Sequence, residues 1–177
     1  MKYITIFEFL IIVFSILLWY YMNKKGHRNV TRKFVILFIG VLLFEIISEP
    51  MWLNVGFDSW TYIYKDITWV MTLAWVCTFM LSILLVDYGY RNLPEKRRFW
   101  LYILVIETIY VPVEVGLIEG GVRSYAPILT KTMSGLYIPK TGVPIEAIYA
   151  IPMFTSLILA FYKYINHLFD SKKNATR

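Results

Sequence analysis

Glu45, Glu49, Glu107 and Glu114 fall inside long apolar stretches of the chain. A carboxyl group at the centre of a bilayer costs about 2.5–3.5 kcal/mol on insertion scales, so such groups ordinarily line a protein interior or a wet cavity and do work there. A neutral carboxylic acid beside an ionised one is the arrangement that general acid–base chemistry uses. Glu8 and Glu146 add two more acids near the ends of apolar stretches.

Counting helical rise from the basic ends of the segments places several of these acids at one depth. Glu49 lies fifteen residues from Phe34 and Glu114 fifteen from Phe99, which at 1.5 Å per residue is roughly 22 Å from the edge. By the same count Glu8 and Glu146 lie at about 22 and 25 Å. Glu8, Glu49, Glu114 and Glu146 are therefore expected to form one layer, contributed by four helices. On a continuous helix Glu45, Glu49, Trp52 and Gly56 share one face, and so do Glu107, Tyr110, Glu114, Leu117 and Gly121. Trp52, Trp69, Trp75 and Tyr149 lie level with the glutamates or close to them.

The elements that must carry these residues follow from composition. The chain has 177 residues, of which 58% are apolar, and a mean hydropathy of +0.57, which is far from a soluble domain. Five segments reach the roughly 20 apolar residues that a spanning helix needs: about 4–22, 34–57, 67–88, 99–119 and 143–165. The expected fold class is all-α, a polytopic membrane bundle of five transmembrane helices forming one integral domain over residues 1–177. The first segment has no small-residue cleavage site near its end, Leu18-Trp19-Tyr20-Tyr21-Met22, and is expected to be a retained helix.

The net charge of +6 is topological. Thirteen Lys and Arg residues fall in the first loop, the third loop and the tail, including Lys24, Arg32, Arg97, Lys172, Lys173 and Arg177; five, Lys2, Lys65, Arg123, Lys131 and Lys140, fall on the other side. That bias puts the N-terminus outside and the C-terminus in the cytoplasm of a cell membrane. The expected partner of the basic surplus is the lipid bilayer with its anionic headgroups, and no nucleic acid is expected.

The chain is also internally duplicated. Arg32-Lys33-Phe34, Glu49, Gly56 and Ser59-Trp60 recur 65 residues later as Arg97-Arg98-Phe99, Glu114, Gly121 and Ser124-Tyr125. Helix 1 stands outside this duplication. Helices 2–3 (about 32–88) and 4–5 (about 97–165) become parallel repeats, followed by a basic tail at 166–177. The segment from Gly120 to Gly142 is too long and apolar for a simple turn and is expected to lie on the outer interface or dip back as a lid. Tryptophans and tyrosines gather at both ends of the helices, as bilayer interfaces favour.

Other chemistries find little footing. His27 and His167 are the only histidines and lie near the cytoplasmic side, and Cys77 is the only cysteine, so neither a metal site nor a disulfide framework is expected. There is no Gly-rich phosphate loop and no nucleophile elbow. The sequons at Asn29 and Asn174 fall on the cytoplasmic side.

The second copy reads Glu114-Val-Gly-Leu-Ile-Glu119-Gly-Gly121, then Ser124-Tyr125, then Gly142-Val-Pro144-Ile-Glu146. This resembles the small polytopic proteins of carotenoid modification, the heterodimer-type and fungal-type lycopene cyclases and the carotenoid hydratases. The first copy departs from that pattern with Thr72 in the place of Glu146, and Ala147 follows Glu146 where those families carry further acidic residues. The resemblance implies isoprenoid chemistry without a redox cofactor: a carboxylic acid protonates a polyene, aromatic faces stabilise the cation, and a carboxylate removes a proton or directs water. In those roles Glu114 and Glu146 would be the acid–base pair and Glu49 and Glu8 their partners. Trp52, Trp75 and Tyr149 would be the cation-facing rings, with Tyr110, Glu107 and Glu45 lining the substrate. Two other classes fit the same glutamates: a proton-coupled transporter or channel subunit, and a non-catalytic scaffold or assembly subunit. A homo-oligomer or a heteromeric membrane partner would suit either.

Overall fold

The computed structural model of the chain describes residues 3–175, with side chains to Ser171. The terminal residues Lys2, Thr176 and Arg177 and the side chains of Lys172 and Lys173, on which part of the charge and sequon reading falls, lie outside the described residues. The apolar segments fold as α1 (Tyr3–Lys24), α2 (Val30–Ser48), α3 (Trp69–Gly89), α4 (Glu95–Glu119) and α6 (Ala147–Ala175), with a four-residue helix α5 (Pro127–Thr130) before the last. Among the described residues five helices are long and apolar enough to cross a membrane. Apolar stretches take this form because a helix satisfies its backbone polar groups within itself.

Helices α2, α3, α4 and α6 form a closed ring, each packed on the next, and α1 rests outside it against α3 and α2. The ring's interior is filled by Leu37, Val41, Val76, Phe79, Met80, Ile106 and Leu159, all but inaccessible. Gly40 on α2 faces the Phe161 ring of α6, and a Cβ there would meet that ring at 2.9 Å, so glycine sets the close approach of these helices. Between α3 and α4 the Ser82 hydroxyl donates to the Tyr102 carbonyl at 2.8 Å. The end carrying the two basic loops is tied by ion pairs: Arg32 with Asp170, Arg98 with Asp87, and Lys163 with Glu95.

At the opposite end the chain departs from the expected boundaries. The second segment was expected to stay helical to residue 57, but α2 stops at Ser48 and Glu49–Met51 form a single 3-10 turn. Pro50 explains the stop, since it lacks an N–H and disfavours helical backbone in the residue before it. The expected stripe of Glu45, Glu49, Trp52 and Gly56 is therefore broken, and Trp52 reaches the interior from a strand. Strand β1 (Trp52–Asn54) pairs antiparallel with β4 (Arg123–Tyr125), matching Trp52 with Tyr125 and Asn54 with Arg123. Gly56 lets this crossing close, because a Cβ there would meet the Val122 backbone at 3.1 Å. Strands β2 (Tyr62–Tyr64) and β3 (Ile67–Thr68) form a hairpin that delivers the chain into α3, whose first turn is capped by Thr68. The last long helix begins at Ala147, after Pro144, rather than at residue 143.

The segment after α4 is not a plain turn, since it carries β4 and α5. Gly121 takes a left-handed backbone (φ 67°) that reverses the chain, and β4 then carries Arg123 and Tyr125 down into the end of the ring, where both are buried.

Candidate functional site

Arg123 and Glu114 are the most deeply buried ion pair among the described residues, with side chains 6% and 1% exposed and Nε 3.2 Å from Oε1. Glu114 stands on the inward stripe of α4, and β4 returns Arg123 to meet it. The contact is ionic and poorly aligned, as Arg123 Nε finds no hydrogen-bond partner among the described residues. The carboxylate is satisfied instead by phenols: the Tyr110 hydroxyl donates to Oε2 at 2.6 Å and the Tyr125 hydroxyl to Oε1 at 3.4 Å. Burial opposes the charge on Arg123, but the Glu114 carboxylate, with Tyr110, Glu45 and Tyr125 behind it, holds the guanidinium above its usual value. Burial, then the neighbouring Glu114 charge, pushes the Tyr125 phenol up and keeps it a donor.

Aromatic rings enclose this pair. The Arg123 guanidinium lies 4.3 Å from the centre of the Trp52 ring, and Trp52 packs on Tyr125 at 5.0 Å. Trp75 of α3 stacks on Tyr110 of α4 with centroids 3.6 Å apart. Between them is a cavity of about 30 Å³, lined by Glu45, Trp52, Trp75, Tyr110, Arg123 and Thr155 among others. It has room for about one or two waters.

Two more carboxyls complete the surroundings, each bonded to a threonine of the neighbouring helix. The Thr72 hydroxyl of α3 donates to Glu45 Oε2 of α2. The Thr155 hydroxyl of α6 is 3.2 Å from Glu107 Oε1 of α4. The two helix pairs of the ring thus each carry one Glu–Thr bridge. Thr72 and Thr155 are fully buried, so their bonds work in a dry setting where an unpaired partner is costly.

The expected layer of four glutamates is not brought together. Glu114 alone of the four reaches the centre. Glu8 is buried between α1 and the loop that follows β1, where it accepts the Asp58 N–H at 2.8 Å. Glu49, displaced by the turn at Pro50, pairs with the exposed Lys65 at 3.3 Å. Glu146 accepts the Ser134 N–H at 2.6 Å in the loop before α6, and these bonds hold its carboxyl below the usual range. Tyr149 is 74% exposed on the outside of α6 and does not face the cavity. Trp52, Trp75, Tyr110 and Glu45 line it, and Glu107 stands behind Thr155.

Sequence reasoning placed Arg123 in an outer loop and gave no role to Thr72, Thr155 or Tyr125. The available signal was an arginine within a Gly-Gly-Val-Arg-Ser-Tyr turn between two apolar segments, and single hydroxyls facing acids on neighbouring helices. Among the described residues no three His, Cys, Asp or Glu side chains converge as metal ligands would. No known protein family, characterised protein or solved structure matches the chain.

Proposed function

We propose that the chain is a multi-pass membrane enzyme that acts on an apolar, isoprenoid-type substrate by proton transfer between carboxyl groups, without a redox cofactor. The observation that carries this reading is one internal cavity walled by Glu45, Trp52, Trp75, Tyr110 and Arg123 inside an otherwise apolar helix ring. Glu45 and Glu107, each held by a threonine, take the roles of proton donor and acceptor. Protonation of a carbon–carbon double bond leaves a cation on the adjacent carbon, and loss of a proton from another carbon restores neutrality. The proton gained by the accepting carboxyl returns to the donor, so the enzyme is regenerated and the substrate is isomerised or cyclised at constant oxidation level. Glu114 and Arg123 supply fixed, mutually neutralising charges, and the Trp75 and Trp52 rings face the developing cation.

In this reading the N-terminus is outside and the C-terminus cytoplasmic, in line with the thirteen-to-five Lys/Arg bias. The site then lies in the outer half of the bilayer. The ring order α2–α3–α4–α6 is what two parallel hairpin repeats around an axis along the membrane normal would produce, and it supports the duplication read from the sequence.

A second reading, a structural scaffold, is favoured by one observation: Glu114 is already engaged by Arg123, Tyr110 and Tyr125. Isoprenoid profiles of cells expressing the wild-type chain, Glu45→Gln and Glu107→Gln separate the two. Enzymatic carboxyls predict a product made by the wild type and lost in both variants. Identical profiles, with the variants as stable as the wild type, would favour the scaffold.

A further inference from the structure

At the end of the ring that carries the basic loops, α2, α3, α4 and α6 surround a pocket of about 270 Å³. Ile83 and Leu159, which belong to the apolar interior, close it on the inner side. The acids that line it, Asp87 and Glu95, are already served. Arg98 Nη1 and the Tyr102 hydroxyl donate to Asp87 Oδ1 at 2.7 and 2.6 Å, and Lys163 donates to Glu95 Oε1 at 2.6 Å. Their side chains are 44% and 70% exposed, so solvent meets the rest of each carboxylate. What the lining leaves unmet are donors. Lys33 of α2 joins none of the ion pairs among the described residues. Arg98 of α4 spends only Nη1, and its Nε has no partner. Tyr162 of α6 is 8% exposed, and its hydroxyl makes no hydrogen bond among the described residues, although a buried phenol usually finds one. Three cations, Lys33, Arg98 and Lys163, stand against two carboxylates, so the lining carries a surplus positive charge.

We propose that this pocket binds a phosphate group, carried by a lipid headgroup or by a soluble phosphate. The unmet groups are donors on three different helices and the surplus charge is positive, so the ligand must bring acceptors and negative charge. A tetrahedral phosphate offers three such oxygens, whereas a planar carboxylate offers two. The volume of about 270 Å³ is several times the roughly 30 Å³ that one water occupies, so the group fits with some of its hydration. The site stands apart from the cavity beside Glu45 and Arg123, at the other end of the ring, and does not depend on the chemistry proposed there.

The test has two arms, both on the full chain in phosphatidylcholine nanodiscs. In one, inorganic phosphate is titrated in by calorimetry. In the other, the nanodiscs also carry phosphatidic acid, and native mass spectrometry counts the phosphatidic acid that the chain retains. Binding is expected in at least one arm, and the arm that responds tells a soluble phosphate from a lipid-borne one. Tyr162→Phe, which removes one hydroxyl, and Lys33→Gln should each weaken that binding by roughly 10–100-fold. Lys33 is only partly buried, so Lys33→Gln carries the test if Tyr162→Phe does not fold. Lys24→Gln, an exposed change at the same end, should leave binding as it is. No binding in either arm would overturn the proposal, as would binding unchanged in both Tyr162→Phe and Lys33→Gln. An equal loss in Lys24→Gln would also overturn it, since general attraction to a basic surface gives that pattern. Equal competition by acetate would overturn the assignment to phosphate.

Discussion

Arg123 and Glu114 are nine positions apart in the chain, yet β4 folds back so that Nε and Oε1 meet at 3.2 Å in a setting almost closed to solvent. An ion pair of this kind is sensitive to the loss of one partner and tolerant of the loss of both, because a single deletion strands a buried charge. Arg123→Met and Glu114→Leu should each destabilise the fold by about 3–5 kcal/mol, read by denaturant titration in detergent. The double variant should recover much of that loss. A double variant as unstable as the sum of the two would show that the pair does not act as a unit.

Gly56 and Gly116 make opposite predictions. A Cβ at Gly56 would press on the Val122 backbone at 3.1 Å, so Gly56→Ala should cost about 1–3 kcal/mol. Gly116 lies within α4 with nothing inside 4 Å of a Cβ, and Gly116→Ala should stabilise by up to about 1 kcal/mol through helix propensity. Thermal melts of the two variants with opposite signs would support the β1–β4 crossing; equal small effects would speak against it.

Much of the fold was legible because apolar length alone sets helices in a chain like this, and all five long segments were found. The boundary of α2 was missed although Pro50 was in view, because spanning helices tolerate proline when neighbours satisfy the freed groups. Here the chain leaves the helix and those groups enter β1 instead. Half of the candidate site was legible. Glu45, Glu107, Glu114, Tyr110, Trp52 and Trp75 were marked by being polar or aromatic at depth. Glu49, Glu146 and Tyr149 were marked by the same logic but are turned aside by local backbone, which spacing cannot reveal. Arg123 was hidden because its burial depends on pairing between strands 65 or more residues apart.

Orientation is open to a simple check. Cys77 is buried and should stay silent toward impermeant maleimides. Lys25→Cys and Arg91→Cys lie in the basic loops and Ile63→Cys in the exposed β2 hairpin. In intact cells Ile63→Cys should label and the other two should not. Labelling at position 25 from outside would reverse the topology.

Glu146 gives a pH-dependent signature. Its carboxyl is held below the usual value of about 4.3 first by the Ser134 N–H, so the folded state favours the ionised form. The tether it makes is therefore fully present above the unfolded value and is lost as pH falls through the lowered one. The protection of the Ser134 amide, taken as its exchange relative to the intrinsic rate at each pH, should fall on acidification in that range, and Glu146→Gln should show no such fall. Parallel profiles for the two proteins would remove Glu146 from the loop's anchoring.

Solvent deuterium reports most directly on whether protons move through this site. Purified chain in proteoliposomes containing isoprenoid lipid would be incubated in D₂O and the products weighed by mass spectrometry. Addition of a proton from a carboxyl in exchange with solvent predicts product carrying carbon-bound deuterium, with Glu45→Gln reducing its formation by roughly 10²–10⁴-fold. Product that forms without solvent deuterium, or equally in Glu45→Gln, would contradict carboxylate proton transfer as the chemistry of this site.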